Sequence, residues 1–366
     1  MPGRVIVFGP AYLDRILRVD SPLRPPYRPP LDQSVGGRPG FGSPLDLRLI
    51  DPVGALAIEI PADWPGHRGV VSLDRPIGLE QGEPRHVRAE AWEDDLGGMG
   101  AGFAAATGGE LVTILGATGD PIGGTVQGLL RREGIEARVV RRDSPADWTL
   151  LVTSGPFGDK LAIGFRDGSE SLTFDDFAPH LAQPRDVRIV AGLPNRLAAD
   201  LLKAPGTRLR VFAPATRNAL DRELPILRLI APVDVMCCNR GEWEMTADRD
   251  EVAARLSILV VTDGAAGAEA RFTDPEGAAR TVKVPAFPRS RPPRDTNRAG
   301  EAFASTFLMT LLDRGWRPES CAAEVGLIRE AMTRASAASA LVLDLPRFGF
   351  PKPAEVDAAV ARGVVD

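Results

Sequence analysis

The sequence predicts an α/β protein in which helices cover both faces of a mostly parallel sheet. Short, continuous apolar runs begin with residues 5–8 and recur through the second half of the chain, and such runs are typical of strands buried on both faces. Helical segments lie between them, and this alternation favours a parallel sheet. The chain has 366 residues, 44% of them hydrophobic, which is enough to bury a substantial core.

Turn residues separate the expected elements. Pro121 favours a helix start, Gly134 closes that helix, and the runs at 148–152 and 161–165 flank a turn-rich segment typical of a hairpin. Strands are predicted at 5–8, 111–115, 148–152, 161–165, 187–191, 209–212, 233–237 and 258–262. Helices are predicted after residue 102, at 126–132, 196–202, 218–230, 251–256, from 299 onward, at 319–343 and from 354 onward.

Charge and cysteine content narrow the expected partners. A net charge of −5 argues against a nucleic-acid surface, which needs a basic face, so we expect a small-molecule ligand. The cysteines, Cys237, Cys238 and Cys321, form no disulfide framework, and we expect a reducing cytoplasm. The first apolar run is short for a signal peptide, and the absence of an 18-residue apolar run predicts no membrane partner.

The segment between residues 17 and 95 differs in composition from the rest. It is Pro-rich at 22–30 and Gly-rich at 36–42, with short β-like runs at 55–60 and 69–73. This is not helical sequence. Three functional roles are open for it: a larger lid, a cover for the site, or a subunit contact such as a homodimer through the lid. A tolerated surface insertion is an equal alternative.

A polar loop at 295–301 leads into a helix in which Phe303 and Phe307 lie four residues apart. The small residues Ala299 and Gly300 would let a ligand approach the first backbone N–H groups of this helix. These groups carry partial positive charge and bind anions such as phosphate.

Glu301 lies in the first turn of the same helix. An acid beside a phosphate-binding helix start can take a proton from a hydroxyl while that oxygen attacks a phosphoryl group. Taken alone, the simpler interpretation is favoured: a first-turn acid stabilises the helix dipole.

The stretch Asp-Thr-Asn-Arg-Ala-Gly-Glu resembles the Asp-Thr-x-Gly-Ala-Gly-Asp signature of the ribokinase-like (PfkB) family of sugar and nucleoside kinases. Arg298 replaces the first Gly, and Glu301 replaces the catalytic Asp. The resemblance implies a kinase using ATP and Mg²⁺ in which Glu301 is the general base. Backbone N–H groups of Arg298, Ala299 and Gly300 would stabilise the transferring phosphoryl group, with the Arg298 guanidinium beside them. A monovalent cation near Asp295, found in parts of the family, is left open.

Two further motifs resemble the substrate side of the family. Gly9 and Asp14 match Gly-x-x-x-x-Asp, whose Asp holds substrate hydroxyls; an Asp in a solvated turn is an equal alternative. The stretch from Gly97 resembles Gly-Gly-x-Gly-Ala-Asn, which assigns Gly98 and Gly102 to the substrate, although Gly102 replaces the Asn. A dinucleotide loop does not fit, because Phe103 takes its third glycine position and no strand is predicted before it.

Two motifs resemble the nucleotide side. Asn239 and Glu242 match Asn-x-x-Glu after a strand, and their hard oxygens suit Mg²⁺ and phosphate positioning. A helix cap formed by the same two residues is a compatible alternative. Thr262, Gly264 and Gly267 resemble the nucleotide loop Thr-x-Gly-x-x-Gly, for which a hairpin turn is the alternative.

The remaining sequence patterns do not indicate a catalytic or metal-binding site. Residues 116–124 resemble a family Gly-x-x-Gly-Asp-x-x-Gly motif, but a structural turn is the favoured interpretation. His67, His86 and His180 are too scattered for a metal-ligand spacing, and the sequence contains no Walker loop or Gly-x-Ser-x-Gly elbow.

The motifs occur in family order, which implies one ribokinase-like domain over 1–366, with lid and insertion segments at about 17–95 and 141–175. The leading hypothesis is an ATP-dependent phosphotransferase acting on an alcohol of a sugar, nucleoside or related small molecule. The alternative is a catalytically weak or inactive ligand-binding or sensor protein, which the replacements at Gly102 and Glu301 favour.

Overall fold

A computed structural model of the protein describes residues 5–19, 89–154, 159–165, 172–291, 293, 296–318 and 322–365. Several predictions lie outside these residues: the runs at 55–60 and 69–73, the Pro-rich and Gly-rich segments, Asp295, Cys321, His67 and His86. None of the helices in the described ranges is long and apolar enough to cross a membrane.

Thirteen strands form two sheets across the described ranges. They are β1 (Val5–Phe8), β2 (Tyr12–Val19), β3 (Ala89–Gly97), β4 (Glu110–Leu115), β5 (Ala137–Arg141), β6 (Trp148–Ser154), β7 (Asp159–Phe165), β8 (Arg185–Ala191), β9 (Thr207–Ala213), β10 (Val235–Asn239), β11 (Ile258–Thr262), β12 (Ala268–Thr273) and β13 (Ala279–Val284). The large sheet has the order β13-β12-β11-β10-β9-β8-β1-β4-β5. Neighbours from β11 to β5 pair in parallel, whereas β12 and β13 are antiparallel. The predicted fold class is confirmed.

The small sheet has the order β3-β2-β6-β7 and forms a lid. Its β6–β7 hairpin is confirmed. The alternative that puts Asp14 in a solvated turn is wrong, because Asp14 lies in β2. The expectation that no strand precedes Gly98 is also wrong, because β3 ends at Gly97. The lid therefore begins at Tyr12 instead of near residue 17. Pairing with β2 holds the acidic strand β3 in place, helped by an ion pair between Arg15 and Asp94 at 3.3 Å.

Eleven α-helices are found in the described ranges. They are α1 (Met99–Thr107), α2 (Pro121–Arg132), α3 (Phe174–Phe177), α4 (Asn195–Lys203), α5 (Thr216–Leu220), α6 (Ile226–Leu229), α7 (Arg240–Met245), α8 (Arg249–Ala254), α9 (Ala299–Asp313), α10 (Val325–Val342) and α11 (Pro353–Arg362). The helix predicted from residue 299 is α9, which packs between α1 and α10 and buries Phe303 and Phe307.

The single helix predicted at 218–230 is wrong. The Asp221 carboxylate accepts hydrogen bonds from the backbone N–H groups of Glu223 and Leu224, at 3.0 and 2.9 Å, which stabilises a turn. Pro225 then starts α6. The helix predicted at 319–343 also starts later, at Val325.

The segment at 116–124 forms a turn that leads into the first residues of α2. The Asp120 carboxylate accepts hydrogen bonds from Ile122 N–H and Gly123 N–H, which caps α2, and from Ala146 N–H at 2.8 Å. Pro121 occupies the first turn of the helix.

Candidate active site

A cleft of about 990 Å³ lies at the carboxyl ends of the parallel strands, between the large sheet and the lid. Open α/β sheets bind ligands at this edge. Most of the predicted site residues line it: Asp14, Asn239, Glu242, Thr262, Gly264, Arg298, Gly300 and Glu301. The fold thus brings together residues from both ends of the chain.

The start of α9 is open to the cleft. The first helical hydrogen bond runs from Ala302 N–H to the Arg298 carbonyl at 2.9 Å, so the N–H groups of the preceding first turn have no helical acceptor. Gly300 is exposed, and no atom lies within 4 Å of the place a Cβ would occupy. Ala299 does not line the cleft; its carbonyl accepts a hydrogen bond from Ser339 Oγ at 2.6 Å, which ties α9 to α10.

Arg298 adopts the left-handed conformation, with φ 68° and ψ −4°. Its guanidinium donates a hydrogen bond to the Arg347 carbonyl, so the side chain extends from the helix start toward the C-terminal segment. The position therefore has the backbone geometry that favours glycine, the residue found there in the family signature.

Glu301 is half-buried and faces both the cleft and a smaller adjoining cavity of about 90 Å³. Asp14, Asp95 and Gly98 share this cavity. Gly98 has φ 101°, and a Cβ there would lie 2.3 Å from the Pro10 carbonyl oxygen, so a glycine is required. The three carboxylates surround a polar space next to the start of α9.

Gly102 does not line either space. It is buried within α1, where it packs against the side chain of Glu301. Sequence reasoning assigned Gly102 to the substrate, but this position lies behind the carboxylate.

The inner face of the lid contributes residues that sequence reasoning missed. Asp14 on β2 lies beside Thr149 on β6, and Tyr12, Asp147 and Leu151 line the same cleft. Asp147 forms an ion pair with Arg142 at 2.6 Å. The sequence did contain a signal for these residues. Residues two apart on a strand share a face, so Asp147, Thr149 and Leu151 lie on the face opposite the buried Trp148.

Arg217 was also missed. It follows β9, lines the cleft and donates a hydrogen bond to the Gly192 carbonyl, which follows β8. Ligands bind at the carboxyl ends of strands in open α/β sheets, so the residues that follow β8 and β9 could have been predicted to line the site.

Asn239 and Glu242 cap α7 and also line the cleft. Within the described ranges, no group of three or more His, Cys, Asp or Glu side chains is arranged to hold a metal. Mg²⁺ is often held by one or two carboxylates together with substrate phosphates, and a carboxylate beside an amide oxygen fits that use.

The loop after β11 has two differently placed glycines. Gly264, with φ 51°, lines the cleft next to Thr262, whereas Gly267 does not. A Cβ on Gly267, which has φ 96°, would lie 2.1 Å from the Val284 carbonyl oxygen, so this glycine closes the turn into β12. The position of Gly264 is compatible with the nucleotide loop that the sequence suggested, whereas Gly267 has the role of the alternative, a hairpin turn.

Cys237 and Cys238, at the end of β10, line the cleft, and their buried side chains pack on opposite faces of the sheet. Burial raises the pKa of Cys237 to about 12 and that of Cys238 well above its usual value. Both are therefore neutral, unreactive lining groups at pH 7.

A mostly parallel central sheet with a cleft at its strand ends and a β lid over the cleft define an α/β protein built to bind a small molecule. A family model described as pfkB family carbohydrate kinase matches residues 72–354, and the chain belongs to this family of small-molecule kinases. A comparison with curated proteins gives no significant match.

Solved structures share the fold at low sequence identity. Ribokinase from Giardia lamblia is 16% identical with a TM-score of 0.66, covering 98% of this chain and 99% of its own. A nucleoside kinase from Methanocaldococcus jannaschii is 14% identical with a TM-score of 0.64, covering 98% of both chains. Burkholderia thailandensis nucleoside kinase, in complex with inosine, is 17% identical with a TM-score of 0.63, also covering 98% of both.

Proposed function

We propose that this protein transfers the γ-phosphoryl group of ATP to an alcohol of a sugar, a nucleoside or a related small molecule, with Glu301 as the general base. The observation that carries the proposal is the shared cleft. Glu301 lies there in the first turn of an open helix start, with Asp14 on the lid and Asn239 and Glu242 beyond it.

The acceptor binds under the lid. Asp14 accepts hydrogen bonds from its hydroxyls, with Thr149 beside it, while Glu301 takes the proton of the attacking hydroxyl. The N–H groups at the start of α9 stabilise the negative charge on the transferring phosphoryl group. Nucleosides are included as acceptors because a structural neighbour binds inosine.

The nucleotide binds at the other end of the cleft. Thr262 and Gly264 line its site, and Gly264 places backbone rather than a side chain there. Asn239 and Glu242 would hold Mg²⁺ with the nucleotide phosphates. When bound, the ion supplies charge neutralisation of those phosphates. A cytoplasmic location belongs to the same proposal and rests on the cysteine content.

The test is ADP release from Mg·ATP against pooled sugars, nucleosides and sugar acids. We expect turnover with one pool and a loss of about 10²- to 10⁴-fold in kcat for Glu301→Gln, because removal of a general base costs that much. ATP affinity and melting temperature of the variant check that the site remains folded. Equal turnover by Glu301→Gln would refute the role of Glu301, and ligand binding with no turnover in any pool would favour a sensor protein.

A further inference from the structure

Gly102 lies inside α1, three residues from its first residue and five from its last, and is buried. Glycine is less favourable than alanine within a helix, because it loses more backbone freedom on folding and exposes more backbone to water. Its backbone is helical, so no left-handed φ requires glycine here. The reason for a glycine must therefore lie in what surrounds it.

The surroundings are the side chain of Glu301. An ideal Cβ on Gly102 would lie 2.9 Å from Glu301 Cγ, 3.3 Å from its Cβ and 3.5 Å from its Cδ, and these are the three nearest atoms. Carbon atoms at optimal contact lie about 3.5–4.0 Å apart. The stem of Glu301 thus occupies the space that any side chain at position 102 would need.

Gly102 and Glu301 lie where α1 contacts α9. The space beside the Gly102 backbone is therefore filled, across this helix contact, by the stem of Glu301.

We propose that Gly102 is a positioning residue for Glu301: the missing side chain lets the Glu301 stem lie against α1, which keeps its carboxylate in reach of the acceptor hydroxyl. This rests on the proposed function of Glu301 as the base. A side chain at 102 would push the stem toward the cleft and displace the carboxylate, and a displacement of about 1 Å can cost on the order of 100-fold in rate.

The first test compares kcat of wild type and Gly102→Ala on one acceptor. We expect Gly102→Ala to lower kcat at least tenfold with little change in KM for ATP, because the displaced carboxylate serves the chemical step and not nucleotide binding. A Gly102→Ala protein that keeps full kcat would overturn the inference.

Stability provides a second test, a double-mutant cycle that needs no activity. Glu301→Ala removes the Cγ atom, so Gly102→Ala should lower the melting temperature in the wild type but leave it unchanged or raise it in Glu301→Ala. An equal loss in both backgrounds would place the clash elsewhere and overturn the inference. Gly128→Ala, in α2 with no atom within 4 Å of its Cβ position, is the matched control and should leave kcat unchanged.

The two hypotheses fail in different ways. If Glu301→Gln keeps full turnover, the proposed base is wrong. If Glu301→Gln is inactive but Gly102→Ala keeps full kcat and costs the same stability in wild type and in Glu301→Ala, only the role of Gly102 is wrong.

Discussion

Asn239 and Glu242 bind each other's backbone at the start of α7. The Glu242 N–H donates to Asn239 Oδ1 at 2.8 Å, and the Asn239 N–H donates to Glu242 Oε2 at 3.0 Å. This reciprocal cap fixes two polar side chains at the end of β10, where both line the cleft. The structural and the ligand-binding interpretations of the motif are therefore compatible in one geometry.

The cap and the charge of Glu242 are separable by mutation. Glu242→Gln keeps an oxygen that accepts from Asn239 N–H, so we expect the melting temperature to stay within a few degrees while affinity for Mg·ATP falls roughly 10- to 100-fold. Asn239→Ala removes the cap and should cost about 1 kcal/mol of unfolding free energy. Titration calorimetry and urea unfolding measure the two effects. An unchanged Mg·ATP affinity for Glu242→Gln would contradict the proposed role of Glu242 in holding Mg²⁺.

Arg298 places a side chain on a left-handed backbone, with φ 68°. A Cβ in this conformation is strained, so Arg298→Gly should be more stable than Arg298→Ala by about 1 kcal/mol. Both variants lose the hydrogen bond from the guanidinium to the Arg347 carbonyl. The difference between their unfolding free energies therefore reports the strain of a Cβ on this backbone. Urea unfolding of the pair is the measurement, and a more stable alanine variant would contradict the strain.

The fold was largely predictable because the central strands of the large sheet contain continuous apolar runs, which are local properties of the chain. The strands β5, β12 and β13 at its edges were not predicted, because charged residues interrupt their apolar ones. The lid strands β2 and β3 were not predicted, because their partners lie far away in sequence. Charged residues also interrupt the apolar ones of β2, and β3 consists mostly of acidic or small residues. The helix at 218–230 failed because the turn formed by Asp221 overrides an apolar periodicity.

The site was predictable where a motif matches and less so elsewhere. Asp14, Asn239 and Glu301 were placed in one cleft by resemblance, and the structure brings them there. Thr149 and Arg217 carry no motif, since their position depends on strand register and on which strand ends meet. The contact between Gly102 and Glu301 depends on helix packing, which no local pattern shows.

The two glycines of the loop after β11 should respond differently to alanine. Gly267→Ala places a Cβ 2.1 Å from the Val284 carbonyl oxygen on a backbone with φ 96°, so it should cost about 2–4 kcal/mol of unfolding free energy. Gly264→Ala is its matched control, because φ is 51° but no atom lies within 4 Å; about 1 kcal/mol is expected. Urea unfolding of the two variants measures this difference in unfolding free energy. A Gly264→Ala protein as unstable as Gly267→Ala would show that steric contact with β13 is unimportant.

Glu269 makes stability depend on pH. It is 6% exposed on β12, and Arg271 lies 2.7 Å from its carboxylate, with Arg240 at 3.5 Å. Burial alone would raise its pKa, but hydrogen bonds from Arg271 and Arg240 outweigh this, and the pKa is lowered. The stabilisation is therefore present above the unfolded pKa of about 4.3 and is lost as the pH falls through the lower folded value.

Glu269→Gln should accordingly lower the unfolding free energy by about 1–3 kcal/mol at pH 7, because two arginines lose a charged partner. The gap between variant and wild type should begin to narrow below the unfolded pKa of about 4.3 and close once the pH has fallen past the lowered folded pKa, where the wild-type carboxylate is also neutral. Urea unfolding across this range measures it. Glu276→Gln, exposed in the turn of the same hairpin, is the control and should stay within about 0.5 kcal/mol of wild type at pH 7. A deficit for Glu269→Gln that persists unchanged at low pH would mean that packing, rather than charge, explains the loss.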